Sequence, residues 1–484
     1  MADDLLLKNA HVVDPANGID GVCDVAIAGG RIARVGSDLD PASAARTWEL
    51  TGRVVAPGLI DNHMHTTLGP GGEAAFAMLA RAGVTTAVDF AGPPGRVFDL
   101  MARHGSGIAI ASLQVLRPSP GGAPHAFSSG PDTLFATVEP DSEQIGRAID
   151  RGLQEGAIGA KILGGHFPFT PSATTRIIEE ANSRGVYMAF HVGTTATGSN
   201  LNGLTEAVGM AAPTRHIHLC HISSALRGQV LPSRVEETAR AMALLADAGD
   251  AVVSESFLTR WSPDPGLCIN GLPDSAIVAT SLQIGGFEPT ESGLARAIAA
   301  GFTVVIVPRG DTNVAITGEA GLRYWREHGT DVGIAFPISY ADSGLVCATH
   351  KRRDSRFTVT ALASDAGIQP FNVTLNHGLM LVEFGALTLP ELIYKASYAP
   401  ARMLGLARKG HLGVGADADI VVIDRDQKCA RHLLVAGQLV MTDGLVIGQG
   451  GAILTTPAGV AAAEARGLPY QVLDLSRSLL YAGW

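Results

Sequence analysis

Two histidines placed two residues apart are the strongest local signal of chemistry in the sequence. They end the segment Pro57-Gly58-Leu59-Ile60-Asp61-Asn62-His63-Met64-His65. Residues two apart on a β-strand point to the same face, so His63 and His65 are expected to project together at the strand's carboxyl end. Two neutral imidazoles on one face are typical of a metal site, although such a pair also occurs as ordinary surface or structural histidines.

Three more polar side chains stand at the ends of apolar, strand-like runs, and they are Lys161, His191 and Asp365. A lysine in so apolar a run is costly unless its charge is compensated or removed, or unless its ammonium group reaches solvent from the strand end. The alternative for His191 is a buried structural histidine. The alternative for Asp365 is the N-cap of the segment that follows it.

A later strand contains three histidines, His216, His218 and His221, of which at most one or two are expected to bind a metal. Side-chain parity does not decide among them. His221 lies at the strand end and is the first choice, with His218 second.

These residues have to be positioned by a repeating order of strands and helices. From Pro57 onward, apolar runs alternate with helix-length segments, which is typical of parallel βα units. The predicted strands are Gly58–His63, Thr85–Asp89, Ile108–Gln114, Gly159–Leu163, Tyr187–His191, Ile217–His221, Ala251–Glu255 and Thr358–Asp365. Eight such units form a closed (β/α)8 TIM-like barrel, whose active site lies at the carboxyl ends of its strands. The connection between the seventh and eighth strands is long for a barrel and contains a further strand-like run and a further helix-like run.

Short β-runs occupy both ends of the chain, and we expect them to meet in one small β-sandwich. The fold class is therefore α/β, with residues 1–56 as the N-terminal part of the sandwich. Residues 57–405 are expected to form the barrel, and residues 406–484 the C-terminal part of the sandwich plus a tail without an assigned position. Leu389–Leu404 is predicted to be one helix.

The composition excludes several classes of function. The net charge is −10, and the short run Lys351–Arg353 is the only basic cluster, so no nucleic-acid partner is expected. The five cysteines are scattered without a CxxC motif, which argues against a disulfide framework and a structural zinc site. We find no signal peptide and no apolar stretch of membrane-spanning length, so a cytoplasmic protein without membrane contact is expected.

Taken together, these motifs resemble the amidohydrolase superfamily, and in particular its cyclic amidohydrolase branch of hydantoinases, dihydroorotases and enamidase-like enzymes. The resemblance rests on PGLIDxHxH, a strand-end lysine, two later strand-end histidines and a final strand-end aspartate, in this order. The segments Ala396–Arg402 and Lys409–Ile420 also look like that family's return to its β-sandwich. The likeness covers nearly the whole chain.

The resemblance implies a binuclear site with two divalent metal ions, zinc first and manganese, iron or cobalt as alternatives. His63, His65 and Asp365 would hold one ion, and His191 and His221 would hold the other. Lys161, carboxylated by CO2, would bridge both ions as a carbamate. Carboxylation would also replace a buried cation by an anion that faces two cations. Relatives of this kind suggest a homodimer or a homotetramer.

The function implied is hydrolysis of a C–N bond, other than an ordinary peptide bond, in a small cyclic amide or imide of hydantoin, dihydropyrimidine or lactam type. Metal-bound hydroxide would attack the carbonyl carbon, and Asp365 would act as general base and then as general acid. The alternatives are an N-acyl-D-amino-acid deacylase or dipeptidase and a mononuclear deaminase. A non-catalytic scaffold is a further alternative of a different class.

The substrate is less visible in the sequence. His166, Thr194, Asn200 and Arg260 are candidate substrate-binding residues, each with an ordinary loop or surface role as the alternative. Asp61 is expected to orient a ligand histidine or to cap a turn, and residues 118–131 to form a mobile lid. The sequence departs from hydantoinases in two places. It lacks their tyrosine motif after Lys161, and it has no histidine near Asp365.

Overall fold

The computed structural model of the protein describes residues 3–119 and 134–483 and has a mixed α/β fold. From residue 120 onward, the predicted lid lies outside the described residues. The α-helices span Gly72–Arg81, Pro94–His104, Ser142–Gln154, Pro171–Ser183, Leu201–Met210, Arg234–Asp247, Ala276–Ile284, Glu291–Ala299, Gly318–Glu327, Ala341–Thr349, Thr374–Glu383, Leu389–Ile393, Ala399–Met403, Val460–Glu464 and Leu479–Ala482. In the described part of the chain, no helix is long and apolar enough to cross a membrane.

The predicted parallel strands form two sheets, whose hydrogen-bonded order follows the chain. The six-stranded sheet has the order Ala366–Gly367, Leu59–His65, Val84–Asp89, Ala109–Ser112, Ile453–Thr455 and Tyr470–Val472. The seven-stranded sheet has the order Leu134–Phe135, Gln114–Pro118, Gly159–Leu163, Tyr187–His191, Ile217–Leu219, Val252–Ser256 and Ala361–Leu362. The catalytic candidates therefore stand on neighbouring strands.

Two of the predicted strands are broken, and each break passes the chain from one sheet to the other. Ala109–Ser112 pairs with the strand before it, whereas Gln114–Pro118 pairs with the strand after it. Ala361–Leu362 pairs with Val252–Ser256, and Ala366–Gly367 returns to the first strand. The second break lies at Asp365, whose φ of 52° is incompatible with extended backbone. Both segments were predicted to be single continuous strands.

The helices between these strands begin at side chains that suit a helix start. Asp141 and Gln144 form a capping box, and Thr170, Asn200 and Ser233 each accept a backbone N–H of their own first turn. Their apolar faces pack on the strands. In Ser142–Gln154, for example, the buried residues recur with helical spacing, which fixes this helix against the sheet.

The two ends of the chain meet in one nine-stranded sheet. Its strands are Leu5–Asp14, Ile19–Ala28, Arg31–Gly36, Thr47–Glu49, Val54–Pro57, Ile420–Asp424, Cys429–Val435, Gln438–Thr442 and Leu445–Val446. Val54–Pro57 pairs with Ile420–Asp424, which joins the two halves. Leu5–Asp14 is one strand with a bulge near Asn9, where φ is 58°.

The long connection between the seventh and eighth parallel segments folds as a separate layer. It contains a four-stranded antiparallel sheet in the order Ser262–Pro265, Gly333–Phe336, Val304–Arg309 and Thr312–Ile316. A hairpin of Cys268–Ile269 and Leu272–Pro273 lies beside this sheet. Helices of this layer bury Leu282, Leu294 and Trp325 together with strand residues. The layer has its own apolar core, and its first strand faces the candidate site described below.

The C-terminal tail and the preceding helical segment also differ from expectation. Ile453–Thr455 pairs with Ala109–Ser112 and Tyr470–Val472, and tail leucines join the core of the parallel sheets. The segment predicted as one helix, Leu389–Leu404, contains a π-helical turn at Tyr394–Tyr398. The ammonium of Lys395, inside that turn, donates hydrogen bonds to three backbone carbonyls.

Candidate active site

One cavity collects the six predicted metal ligands at the carboxyl ends of the parallel strands. It is lined by His63, His65, Leu68, Lys161, Leu163, His166, His191, His221, Ser224, Ser262, Pro263, Pro265, Ile277 and Asp365. The six predicted ligands come from the two parallel sheets and the turns that follow their strands. Ser262, Pro263, Pro265 and Ile277 come from the long connection, which therefore forms one wall of the cavity.

His63, His65 and Asp365 have the geometry of a metal-ligand triad. Oδ1 of Asp365 lies 3.0 Å from Nε2 of His65 and 3.2 Å from Nε2 of His63. One ligand atom of each residue lies within 4.8 Å of the other two. Two imidazole nitrogens and one carboxylate oxygen are a donor set that zinc and related ions accept.

Glu255 fixes the ring of His63 in this triad. The sequence pattern predicted only that Glu255 ends a strand. Its fully buried Oε1 lies 2.7 Å from Nδ1 of His63 and accepts the backbone N–H of His221 at 2.7 Å. A carboxylate on Nδ1 leaves Nε2 of His63 as the ring nitrogen that faces Asp365. One feature of the sequence could have identified Glu255: it is a glutamate in an apolar run, at the end of the predicted strand before the one that ends at Asp365.

His191 and His221 form the second group of predicted ligands. Their rings lie 4.3 Å apart between centroids, and the ring of His221 is 5.1 Å from that of His63. A 2.9 Å hydrogen bond joins Nε2 of His191 to the hydroxyl of Ser199, and Nδ1 of His221 contacts the hydroxyl of Ser224. One nitrogen of each ring is thereby fixed, and the other is left to bind a ligand.

Lys161 lies between the two groups and is completely buried. Its Nζ is 2.8 Å from Sγ of Cys220 and 4.6 Å from the centroid of the Phe90 ring. Lys161 also interacts electrostatically with the buried carboxyl groups of Asp365 and Glu255. Carboxylation of Lys161 stays a prediction from the resemblance.

The cavity holds His63, His191 and His221 in the neutral form. Burial lowers the pKa of His63 and of His191 well below the usual value, and it lowers the pKa of His221 to about 4. Neighbouring positive charges add to the effect at His63 and His191. Because a metal ion binds the unprotonated nitrogen, this electrostatic environment prepares the imidazoles for coordination at neutral pH.

Two of the predicted ligands sit on strained backbone. His221 has a φ of 30° and Asp365 a φ of 52°, values that non-glycine residues seldom adopt. Asp61 fixes the backbone turn at Asp365, because its carboxylate accepts the backbone N–H of Ser364 at 3.0 Å and contacts the Ser364 hydroxyl. Burial raises the pKa of Asp61 to about 6. Of the two expected roles of Asp61, the contacts match the capping of a turn.

Of the four predicted substrate-binding residues, the structure brings His166 into the cavity. Its ring lies edge-on to His191, with centroids 4.8 Å apart, and its Nδ1 is 2.9 Å from the hydroxyl of Ser275. Burial lowers the pKa of His166 to about 3, so its ring is neutral.

The other three lie outside the cavity lining, and their contacts explain why. The hydroxyl of Thr194 donates to the carboxylate of Glu206, and the side chain of Asn200 caps the helix Leu201–Met210. Arg260 is exposed and lines a different, largely apolar cavity. His218, the second choice on its strand, is not among the residues that line the cavity. Its Nδ1 is hydrogen-bonded to the Tyr187 hydroxyl at 3.0 Å, and its Nε2 lies 3.8 Å from Oε1 of Glu255.

Comparison with known proteins gives matches along most of the chain. The model of the amidohydrolase family matches residues 265–449. The dihydroorotase of Geobacter metallireducens is 24% identical over 455 residues, covering 87% of this chain and 89% of the relative. The N-acyl-D-glutamate deacylase of Alcaligenes xylosoxydans xylosoxydans is 26% identical over 501 residues, covering 95% and 98%.

Among solved structures, one of D-aminoacylase, reported for the functional role of its binuclear metal centre, superposes with a TM-score of 0.65. The two chains are 18% identical, and the match covers 93% of this chain and 99% of the other. At this identity the structural likeness concerns the fold.

Proposed function

We propose that this chain is a member of the amidohydrolase superfamily and an enzyme that hydrolyses C–N bonds. Its proposed reaction is the opening of a cyclic amide or imide of hydantoin, dihydropyrimidine or lactam type. The observation that carries the proposal is the cavity that contains all of His63, His65, Lys161, His191, His221 and Asp365. Five donors and a buried lysine from separate strands are a costly arrangement unless they serve one reaction.

The residues of the cavity fit two divalent metal ions. His63, His65 and Asp365 would hold one ion, His191 and His221 the other, and Lys161 as a carbamate would belong to both. When bound, such ions polarise a carbonyl oxygen and lower the pKa of a water molecule into the neutral range. The neutral imidazoles of His63 and His191 and the complete burial of Lys161 in the same cavity support this assignment.

The chain's own groups supply the proton transfers and the orientation. The carboxylate of Asp365 is ionised, because the hydrogen bond from His65 and the neighbouring groups of the cavity lower its pKa, although burial alone would raise it. In the proposed reaction it accepts a proton from the attacking water and passes it to the leaving nitrogen. Glu255 fixes the ring of His63, Asp61 fixes the turn that carries Asp365, and the wall from Ser262 to Pro265 limits the access of bulk water.

A second substrate class is supported by the comparisons. A relative named N-acyl-D-glutamate deacylase matches nearly the full length of this chain, and the fold is that of D-aminoacylase. An open-chain N-acyl-D-amino acid presents the same scissile amide to the same groups. The dihydroorotase relative and the buried Lys161 support the cyclic substrate.

The proposal includes a closed (β/α)8 barrel as the scaffold, with domain limits at residues 56 and 405. The pairing order supports closure, because the first segment is hydrogen-bonded to the last and the two broken segments connect the sheets. The β-rich ends contribute one nine-stranded sheet.

A hydrolysis screen combined with metal analysis tests the proposed function. Full-length enzyme loaded with zinc or manganese is assayed against hydantoins, dihydropyrimidines, lactams and N-acyl-D-amino acids. Opening of a ring amide, with about two metal ions per chain, is the expected result. Cleavage of N-acyl-D-amino acids alone would replace the cyclic substrate by the second class. Deamination with one ion per chain, or a chain that binds no metal, would reject the proposal.

A further inference from the structure

The strand that carries the first two predicted metal ligands is irregular at the site itself. Asp61 pairs with Ala87 on the neighbouring strand, whereas Met64 pairs with Asp89, so the first strand has one extra residue between these two pairs. An extra residue of this kind interrupts the ladder and redirects the side chains around it. The ladder alone therefore does not fix the ring of His63, which lies within the irregular stretch.

A buried carboxyl group at the end of the neighbouring strand holds the backbone just beyond this irregularity. Oδ2 of Asp89 accepts the backbone N–H of Thr66 at 2.6 Å and the Thr66 hydroxyl at 2.6 Å. Oδ1 accepts the backbone N–H groups of Ala91 at 2.9 Å and of Gly92 at 2.7 Å. Asp89 and Thr66 are completely buried. Because Thr66 follows His65 directly, these hydrogen bonds tie the backbone at His65 to the turn after the neighbouring strand.

The turn that Asp89 closes contains Phe90, whose ring contacts two of the predicted metal ligands. The Phe90 ring is stacked on the ring of His63, with centroids 4.1 Å apart and an angle of 24° between the planes. Nζ of Lys161 lies 4.6 Å from the centroid of the same Phe90 ring. The backbone N–H of Phe90 donates to the carbonyl of Met64 at 2.9 Å, and its side chain is completely buried. The position of Phe90 therefore limits where the side chains of His63 and Lys161 can lie.

We propose that Asp89 is a positioning residue of the predicted metal site. It fixes the ring of His63 through Phe90. It fixes the backbone at His65 through Thr66. The inference rests on the proposed function and deepens it, because it names a group outside the ligand set on which tight metal binding depends. Asp89 contacts neither the substrate nor a metal ion in this role, so its effect should appear in metal affinity and kcat and much less in KM.

Zinc binding tests the proposal without any requirement for turnover. The zinc affinity of the full-length protein is measured by competition with a chromophoric chelator, for wild type and Asp89→Asn. The amide keeps one acceptor oxygen and directs an NH2 group at donors that the carboxyl group accepted. Because the backbone at the ligands is then no longer held, we expect zinc affinity to fall about 10- to 100-fold.

Asp24→Asn is the matched control for this variant. Asp24 is also a buried carboxyl group that accepts two backbone N–H groups beside an irregular strand, but it lies in the nine-stranded sheet. Urea unfolding of the metal-free proteins should show that both variants lose stability, whereas Asp24→Asn should change zinc affinity by less than about twofold. Equal losses of zinc affinity in the two variants would mean that general destabilisation is the cause, and would overturn the inference.

Two further pairs of variants give a decision even if Asp89→Asn fails to fold. Phe90→Leu removes the ring that is stacked on His63, and Phe98→Leu removes a completely buried ring of another core, outside the cavity lining. Phe90→Leu should lower zinc affinity about 10-fold or more, and Phe98→Leu should not. Thr66→Val should lower zinc affinity, whereas Thr66→Ser, which keeps the hydroxyl, should restore it. Equal zinc affinities within both pairs would overturn the inference.

The same measurements separate a failure of the inference from a failure of the proposed function. With a substrate from the hydrolysis screen, Asp89→Asn should lower kcat and leave KM within about threefold of the wild-type value. If wild type binds two metal ions and Asp89→Asn binds zinc equally tightly, the inference is overturned and the proposed function stands. A wild type that binds no metal ion would reject the proposed function together with the metal site that Asp89 is proposed to position.

Discussion

At the scale of single residues, the geometry of the metal-ligand set depends most directly on Glu255. One oxygen of this carboxylate contacts both the ring of His63 and the backbone of His221, so it links the two predicted metal sites. The other oxygen is buried without a partner in the described part of the chain. The carboxylate serves a positioning role here, because it fixes which ring nitrogen of His63 faces Asp365.

Replacing Glu255 by glutamine tests this role. The amide that results from Glu255→Gln presents one acceptor oxygen instead of two to Nδ1 of His63 and the backbone N–H of His221. We expect a loss of about 10- to 100-fold in metal affinity or in kcat. Metal content by elemental analysis and steady-state kinetics measure the two quantities. Glu288→Gln, at an exposed glutamate paired with Arg296, is the control. Unchanged metal affinity and kcat in Glu255→Gln would refute the positioning role.

Lys161→Ala tests whether the buried lysine is part of the metal site. Removal of a bridging carbamate should lower activity by about 100-fold or more and reduce metal occupancy together with it. A carbamate signal in 13C NMR, obtained with labelled bicarbonate, should be present in wild type and absent in the variant. Lys351→Ala changes a half-exposed lysine outside the cavity and should have no effect. Full activity in Lys161→Ala would disprove the bridging role.

At the scale of single elements, the bulged strand Leu5–Asp14 shows how one carboxylate fixes irregular backbone. Asp24, on the neighbouring strand, accepts the backbone N–H of Asn9 at 2.8 Å and that of Leu39 at 2.9 Å. It also pairs with the ammonium of Lys8 at 2.7 Å. The bulge interrupts the ladder at Asn9, and Asp24 supplies the acceptor that the interrupted ladder lacks.

Asp24→Asn should therefore destabilise the protein in a pH-dependent way. Burial raises the pKa of Asp24, but the hydrogen bonds from Lys8, Asn9 and Leu39 outweigh it and hold the pKa below the ordinary 3.8. A carboxyl group with a lowered folded-state pKa stabilises above its unfolded pKa, and this contribution is lost as the pH falls through the folded value. We expect about 1–3 kcal/mol of destabilisation at pH 7.

The measurement is urea unfolding of wild type and Asp24→Asn at several pH values. The difference between them should be constant above about pH 5 and should shrink as the pH falls below 3.8. Asp20→Asn, at an exposed aspartate of the same strand that pairs with His11, is the control. A pH-independent difference would mean that the hydrogen bonds survive protonation and that the charge of Asp24 is unimportant.

At the scale of the whole molecule, distant parts of the chain complete one another. The long connection after Val252–Ser256 provides the cavity wall at Ser262, Pro263 and Pro265. The tail adds strands beside Ala109–Ser112 and buries leucines in the main core. The site and its scaffold therefore depend on the full chain, and separate expression of residues 57–405 is not expected to give a stable fold.

Leu480→Ala tests the contribution of the tail with a single change. Leu480 is completely buried in the core of the parallel sheets, so its truncation should cost about 2–5 kcal/mol of unfolding free energy. Thermal and urea unfolding of the metal-free chain measure the loss. Val472→Ala, at a tail residue that is 42% exposed, should change the unfolding free energy by less than about 0.5 kcal/mol. Equal effects of the two variants would show that the tail does not support the core.

The sequence by itself determined the chemistry of the site and much of its scaffold. The spacing of His63 and His65 requires one strand face, and the apolar runs that end at Lys161, His191 and Asp365 predict strand ends on one rim. The resemblance to the amidohydrolase superfamily that these motifs predict is supported by the family model, which matches residues 265–449, and by the dihydroorotase relative. Local patterns suffice here because strand periodicity is a property of adjacent residues.

Only the tertiary structure decided which side chains face one another. It placed His221 and not His218 in the cavity, and it put the carboxyl group of Glu255 against the ring of His63. It left Thr194, Asn200 and Arg260 outside the cavity. It also broke two predicted strands and stacked Phe90 on the ring of His63. These outcomes depend on backbone turns with positive φ and on contacts between residues far apart in the chain, which no local period encodes.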